Sequence, residues 1–204
     1  MKFLSKKFSF FLLLLLLGPF SISQAESVKL NMVFVPASEK GDDQDYVNLI
    51  KIIGELTGIE ITPIRVTDYN AAVEAVRANR AQIAWYGGKT YIQAVEIANV
   101  EAFAAGVRKG DTDASYFAYF VVPTDSDLQT LADVKGKRLA LNSIGSTSGD
   151  LIPQVELMKA GLSIKNKSDF KRVYYAGSHD ACMMAALNKH VDVCGMSSRN
   201  FDAR

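Results

Sequence analysis

From Val28 to Cys194 the chain alternates between strand-like and helix-like segments, and this alternation limits the fold more than any other feature. Val28 to Val35 reads as a buried strand. Asp45 to Thr57 carries apolar residues at Val47, Leu49, Ile50, Ile53 and Leu56, a helical spacing closed by Gly58. Ile59 to Val66 is β-branched and strand-like, and Asp68 is placed to cap a helix over Tyr69 to Ala78. Gln82 to Trp85 forms a short strand, Lys89 to Ile97 a helix, and Val100 to Val107 a further strand. After a polar run from Arg108 to Ser115, a strand is expected over Tyr116 to Val122 and a helical turn over Leu131 to Val134. The pattern then resumes with Arg138 to Leu141, Leu151 to Ala160, Phe170 to Tyr175, Asp180 to Asn188 and Val191 to Cys194. Strands separated by helices imply largely parallel sheets with helices on their faces. Two such series in one chain predict two α/β lobes facing a cleft.

The N-terminus reads as an export signal. Lys2, Lys6 and Lys7 precede a run from Phe8 to Leu17 that is apolar except for Ser9, and Ser23-Gln24-Ala25 supplies the small residues of a cleavage site. The alternative is an uncleaved anchor helix, although the run is short for a membrane span. No Cys follows Ala25, so a lipoprotein anchor is unsupported. Loss of the three lysines takes the formal charge from +1 to −2. A weakly acidic chain without basic clusters argues against nucleic acid as a partner. The expected organisation is a signal at 1–25, a first lobe over 26–112 and a second over 113–204. Cys182 and Cys194 could bridge in an oxidising compartment. Two buried free thiols are the favoured reading, because a helix-to-strand bridge requires specific geometry.

Ligands of such sheets gather at the carboxyl ends of the strands. The segment after Arg138 to Leu141 is Asn142-Ser143-Ile144-Gly145-Ser146-Thr147-Ser148-Gly149-Asp150, which leads into a helix. The first turn of a helix holds N–H groups without internal partners, and its dipole adds about half a positive charge. Small hydroxyl residues add donors there, making a socket for a small oxyanion. The plain alternative is a Ser/Thr cap on a flexible turn. Pro153 is tolerated only in a first turn, which places the start of regular helix near Gly149 or Asp150. Other strand ends present Tyr86-Gly87-Gly88, Gly177-Ser178-His179-Asp180 and Ser197-Ser198-Arg199. No acidic cluster suits a hard cation, and His179 and His190 are too few for a His-based zinc site, so no metal or other cofactor is expected.

Val66-Thr67-Asp68-Tyr69, Ala81-Gln82-Ile83-Ala84-Trp85-Tyr86-Gly87, Ser146-Thr147-Ser148-Gly149, Ala176-Gly177-Ser178-His179-Asp180 and Val191-Asp192-Val193 occur in this order. Together they resemble the periplasmic substrate-binding proteins of phosphate, phosphite and phosphonate ABC transporters. The resemblance covers the chain from about Val28 to its end. It implies an α/β, two-lobed periplasmic binding protein fold of type II that closes on its ligand by hinge motion. It also implies a monomer that binds a small phosphorus oxyanion, delivers it to a transporter permease and performs no catalysis. Family members continue past the equivalent of Arg204 to complete the first lobe, so that return is missing here and the chain is expected to be a fragment.

By the same resemblance, Ser146, Thr147 and Ser148 hold the phosphonate oxygens. Tyr86 donates a hydroxyl from the first lobe, His179 adds a donor, and Tyr46 closes the site. Arg199 stands where aminoalkylphosphonate binders carry an acid that pairs with the substrate amine. Arg repels an ammonium and suits a carboxylate or a further anionic oxygen. Each residue has a plainer alternative. Tyr86 could be an aromatic wedge, His179 a helix cap, Tyr46 packing against Ile50, and Arg199 a solvated helix residue. Trp85 reads as core or pocket wall and His190 as surface.

Two other functions compete. A sensor domain could use the same scaffold. A serine hydrolase would use Ser146 or Ser148 with His179 and Asp180. Against the hydrolase, Gly145-Ser146-Thr147-Ser148-Gly149 has Thr at the centre of the elbow, and Asp180 directly follows His179. A P-loop is excluded in form, since no Gly-Lys-Ser/Thr follows the glycines.

Overall fold

The computed structural model describes residues 28–37 and 42–202. The export signal expected at 1–25 lies outside the described residues. Among the described residues, no helix is long and apolar enough to cross a membrane.

The first series builds β1 (Lys29–Phe34), α1 (Asp42–Thr57), β2 (Glu60–Ile64), α2 (Tyr69–Arg77), β3 (Ile83–Trp85) and α3 (Gly88–Ala98). Its three strands form a parallel sheet in the order β2-β1-β3. Alternate residues of β1 leave opposite faces. Met32 and Phe34 pack with Ile50 and Ile53 of α1, while Val33 and Val35 pack with Tyr69, Ala72 and Ala75 of α2. Both faces are therefore buried over Met32 to Val35, as that unbroken apolar run requires. Asp68 caps α2 as expected, its carboxylate accepting from the Ala71 N–H at 2.9 Å.

The second series builds β4 (Ala118–Val121), a 3₁₀ turn (Leu131–Val134), β5 (Arg138–Leu141), a wide π-type turn (Thr147–Leu151), α4 (Ile152–Lys159), β6 (Arg172–Tyr175), α5 (His179–Leu187), β7 (Val193–Ser197) and α6 (Ser198–Asp202). A separate four-stranded sheet results, in the order β4-β7-β5-β6, with β4 antiparallel to β7 and the other pairs parallel. Leu139, Leu141 and Val193 pack on one face with Leu157 of α4. Ala140, Cys194 and Met196 pack on the other with Cys182 and Ala185 of α5. Two sheets, each with its own helices and core, give the two-lobed arrangement expected from the alternation.

Three expectations are corrected. The strand predicted over Val100 to Val107 is irregular chain, because no neighbouring strand among the described residues offers it a ladder. Helical winding begins at Thr147, ahead of Gly149. It starts as a π-type turn, and regular α-helix follows from Ile152, with Pro153 directly after the wide turn. The two cysteines are bridged rather than free. Packing of α5 on β7 brings the Cys182 and Cys194 Cα atoms to 5.8 Å, within the usual span of a disulfide.

The bridge joins residues 12 apart and ties α5 to β7 inside the second lobe. Closing a loop of this size in the unfolded chain should contribute about 2–4 kcal/mol. A Cys182→Ala/Cys194→Ala variant should melt about 5–10 °C lower than the oxidised chain. Its midpoint should not respond to reductant, whereas that of the parent should fall.

Candidate functional site

The carboxyl ends of both sheets meet in one seam. From the first lobe come Ala37 after β1, Tyr69 at the start of α2, and Lys89 and Thr90 in the first turn of α3. From the second come residues 142–150 after β5 and His179 at the start of α5. Several hydrogen bonds cross between them. The Lys89 N–H donates to Thr147 Oγ1 at 2.9 Å, and Thr90 Oγ1 donates to the Gly145 carbonyl at 2.8 Å. The His179 N–H donates to the Ala37 carbonyl at 3.1 Å. Asn142 Nδ2 lies 3.4 Å from the Tyr69 hydroxyl. Gly145 is required at its position: its φ is +105°, and a Cβ there would meet the Tyr69 Cβ at 2.8 Å.

The hydroxyl turn sits at this seam. Ser146 is the N-cap of the π-type turn, with its Oγ accepting from the Gly149 N–H at 3.0 Å. Ser146 and Ser148 are buried and Thr147 is half-buried. Thr147 Oγ1 already accepts from Lys89, so its single proton is left for another acceptor. Asn142 lies beneath the turn, with Nδ2 3.3 Å from Ser146 Oγ and Oδ1 buried with no hydrogen-bond partner among the described residues. Gly149 permits the close stacking, since a Cβ there would fall 2.3 Å from the Asn142 Cβ and 3.0 Å from His179 Cε1.

His179 is brought against this turn. Its Nδ1 accepts from the Ser197 N–H of β7 at 3.3 Å, so the proton of the neutral ring resides on Nε2, a donor. Burial pushes its pKa down to about 4, against a smaller opposing influence from Asp180. The ring is therefore uncharged at neutral pH.

The remaining expected residues are placed differently. Tyr86 is half-buried against the first core, and its hydroxyl donates to the Ala72 carbonyl at 3.1 Å. Burial raises its pKa to about 12. Tyr46 stacks on Phe34, with ring centroids 3.9 Å apart and an interplanar angle of 20°. Arg199 lies in α6, with its guanidinium donating to the carbonyls of Gly106, Ala114 and Ser115 at 3.1–3.4 Å. The same group sits 5.1 Å from the centre of the Tyr116 ring. The structure thus gathers Ser146, Thr147, Ser148 and His179 in one place. It sets Tyr46 and Tyr86 in the first lobe and binds Arg199 to the polar connection.

Sequence reasoning missed the Lys89–Asp150 ion pair. Asp150 is buried, and its carboxylate accepts from the Lys89 ammonium, from the Tyr175 hydroxyl at 2.8 Å and from Gln154. Desolvation and the adjacent carboxylate both raise the Tyr175 pKa. No motif marks this pair, because its members are 61 residues apart. The available signal was a lysine in the first turn of a helix, where the dipole disfavours a cation.

The buried imidazole predicts an acid-sensitive fold. The unfolded ring takes its proton near pH 6.5 and the folded ring near 4. Between those values the unfolded state binds more protons. Stability that is fully present above about pH 6.5 is therefore lost as the pH falls toward about 4. The loss should reach about 3 kcal/mol. Thermal midpoints measured across this window should fall with acidification, and a His179→Gln variant should flatten the slope.

Comparison with known proteins bears on the family and the fold. Residues 32–204 match the family described as ABC transporter, phosphonate, periplasmic substrate-binding protein. The phosphonates-binding periplasmic protein of Escherichia coli K12 is 30% identical over 199 residues, an alignment covering 95% of this chain and 57% of that protein. The chain thus spans a little over half of that relative. The crystal structure of a binding protein component of a Pseudomonas aeruginosa ABC phosphonate transporter superposes with a TM-score of 0.78 at 25% identity, covering 87% of this chain and 60% of the other. PhnD1 of Prochlorococcus marinus, solved in complex with methylphosphonate, superposes with a TM-score of 0.72 at 24% identity, covering 86% and 65%. With its two α/β sheets meeting at the hydroxyl turn, this chain belongs to the family of periplasmic substrate-binding proteins of phosphonate ABC transporters.

Proposed function

We propose that the chain is the solute-binding part of an ABC importer and holds a small phosphorus oxyanion at the seam between its lobes. The observation that carries this reading is the turn over Ser146 to Ser148. It starts a helix, lies where the two lobes meet, and keeps the Thr147 hydroxyl proton uncommitted while its oxygen is fixed by Lys89. Unbonded N–H groups and the helix dipole favour an anion at such a place. His179 adds an uncharged donor from α5, suited to an oxyanion that spreads its charge over several oxygens. Tyr46, stacked on Phe34, and Tyr86, donating to the Ala72 carbonyl, are kept in this reading as first-lobe residues bordering the site.

The lobe boundary in this reading falls between residues 112 and 113, within the polar connection. The protein acts after export to the periplasm, as a monomer, with a membrane permease as its partner and without catalysis or nucleic-acid binding. Relatives named for phosphonate, phosphite and phosphate support the class of ligand. The resemblance of Arg199 to the position that carries an acid in aminoalkylphosphonate binders supports a ligand without an amine, although its guanidinium here is held by the carbonyls of Gly106, Ala114 and Ser115.

Calorimetry with methylphosphonate, phosphite and phosphate tests the reading. Thr147→Val keeps the shape of the side chain and removes the hydroxyl, and Ser148→Ala does the same for its neighbour. Each should weaken binding by about 1.5–3 kcal/mol, the usual worth of a hydrogen bond to a charged oxygen. Undiminished affinity in both variants would remove the turn from the site. In a competition series, 2-aminoethylphosphonate should bind more weakly than methylphosphonate, and the reverse order would overturn the assignment of Arg199.

A further inference from the structure

We propose that Lys89 and Asp150 form a latch between the lobes, which favours the closed arrangement before ligand arrives and positions the Thr147 hydroxyl for it. The proposal rests on the reading of residues 146–148 as the oxyanion socket. It adds two positioning residues that touch the socket without binding the ligand themselves.

The placement of Lys89 is the first argument. It occupies the first turn of α3, where the positive end of the helix dipole opposes a cation. Its own helix therefore gains nothing from that charge. Asp150 sits in the first turn of the facing helical segment, where a carboxylate is favoured by the dipole. The pair joins two helix starts that would otherwise repel.

Burial is the second argument. The Asp150 side chain is 1% exposed and that of Lys89 is 29% exposed. A carboxylate so withdrawn from water needs strong partners, and it has three: the Lys89 ammonium, the Tyr175 hydroxyl and the Gln154 amide. Only Lys89 comes from the first lobe. Separating the lobes would remove the one opposite charge among these partners and leave two neutral donors from the second lobe.

The third argument is the register of the contacts. Along one turn of α3, the Lys89 N–H meets Thr147, the Lys89 ammonium meets Asp150, and the Thr90 hydroxyl meets the Gly145 carbonyl. These contacts hold the helix start against both ends of the socket. Because Thr147 Oγ1 accepts from the backbone of the residue whose side chain makes the ion pair, closing the latch also turns the Thr147 proton away from α3. Affinity for a ligand that needs the closed form scales with the fraction already closed, so the latch raises it without touching the ligand.

Removing Lys89 alone strands a buried carboxylate, so the informative variant of the full chain is Lys89→Met/Asp150→Asn. It should keep its secondary structure and unfold cooperatively. Small-angle scattering without ligand should show a larger radius of gyration than the parent. Saturating methylphosphonate should return it to the parent's compact value, with affinity weakened about fivefold or more. Lys89→Arg, which keeps the charge, should keep the compact radius. A folded double variant with unchanged radius and unchanged affinity would overturn the latch, as would a Lys89→Arg chain as open as the double variant. If the parent binds none of methylphosphonate, phosphite or phosphate, the socket reading fails, while scattering of the ligand-free proteins still decides the latch.

Discussion

Unpaired N–H groups at the starts of helices are the constraint to which the rest of this structure answers. Parallel β/α units send the helix starts to the same side of each sheet as the carboxyl ends of the strands. Facing two such sheets brings positive helix ends together, which is unfavourable unless oxygen atoms stand between them. The seam is filled accordingly. Lys89 is met by the Thr147 hydroxyl, His179 by the Ala37 carbonyl, Gly149 by the Ser146 hydroxyl, and Ala181 by the Ser178 hydroxyl. A buried carboxylate, Asp150, adds a full negative charge. The oxyanion we propose as ligand is one more oxygen-bearing group for a seam already lined with such contacts.

The neutrality of His179 belongs to the same scheme. A charged imidazole would add to the positive potential but would require a counter-ion in a buried place. An uncharged ring held by the Ser197 N–H offers one donor in one direction. Directed neutral donors discriminate among oxyanions by shape and protonation rather than by total charge. The disulfide between α5 and β7 holds together the same two elements that the His179–Ser197 contact joins. The ring is therefore oriented by a covalent link as well as by a hydrogen bond.

Much of the fold was legible because it depends on local pattern. The strand over Arg138 to Leu141 and the Asp68 cap follow from period and capping chemistry, and the structure shows both. The hydroxyl turn was legible for the same reason, as a strand end running into a helix. Features that need a partner distant in sequence were not. Val100 to Val107 has strand composition, yet composition cannot supply a neighbour to pair with. The bridge between Cys182 and Cys194 depends on how α5 lies on β7. The Lys89–Asp150 pair depends on how one lobe faces the other. Arg199 was read from a matched position, whereas its contacts come from a connection more than eighty residues upstream.

Those contacts have a consequence for how the chain tolerates change. Arg199 donates to the backbone carbonyls of Gly106, Ala114 and Ser115, not to their side chains. A carbonyl is present whatever residue carries it. Ala114 and Ser115 can therefore drift in identity without loosening the clamp, provided the path of the chain is kept. Gly106 has less freedom, since a Cβ there would strike the Trp85 ring at 2.6 Å. The arginine has no such freedom either, because no other side chain offers several donors in one rigid plane. The connection between the lobes thus stores its geometry in one residue of α6 and in the shape of the main chain, leaving most of its own sequence open to variation.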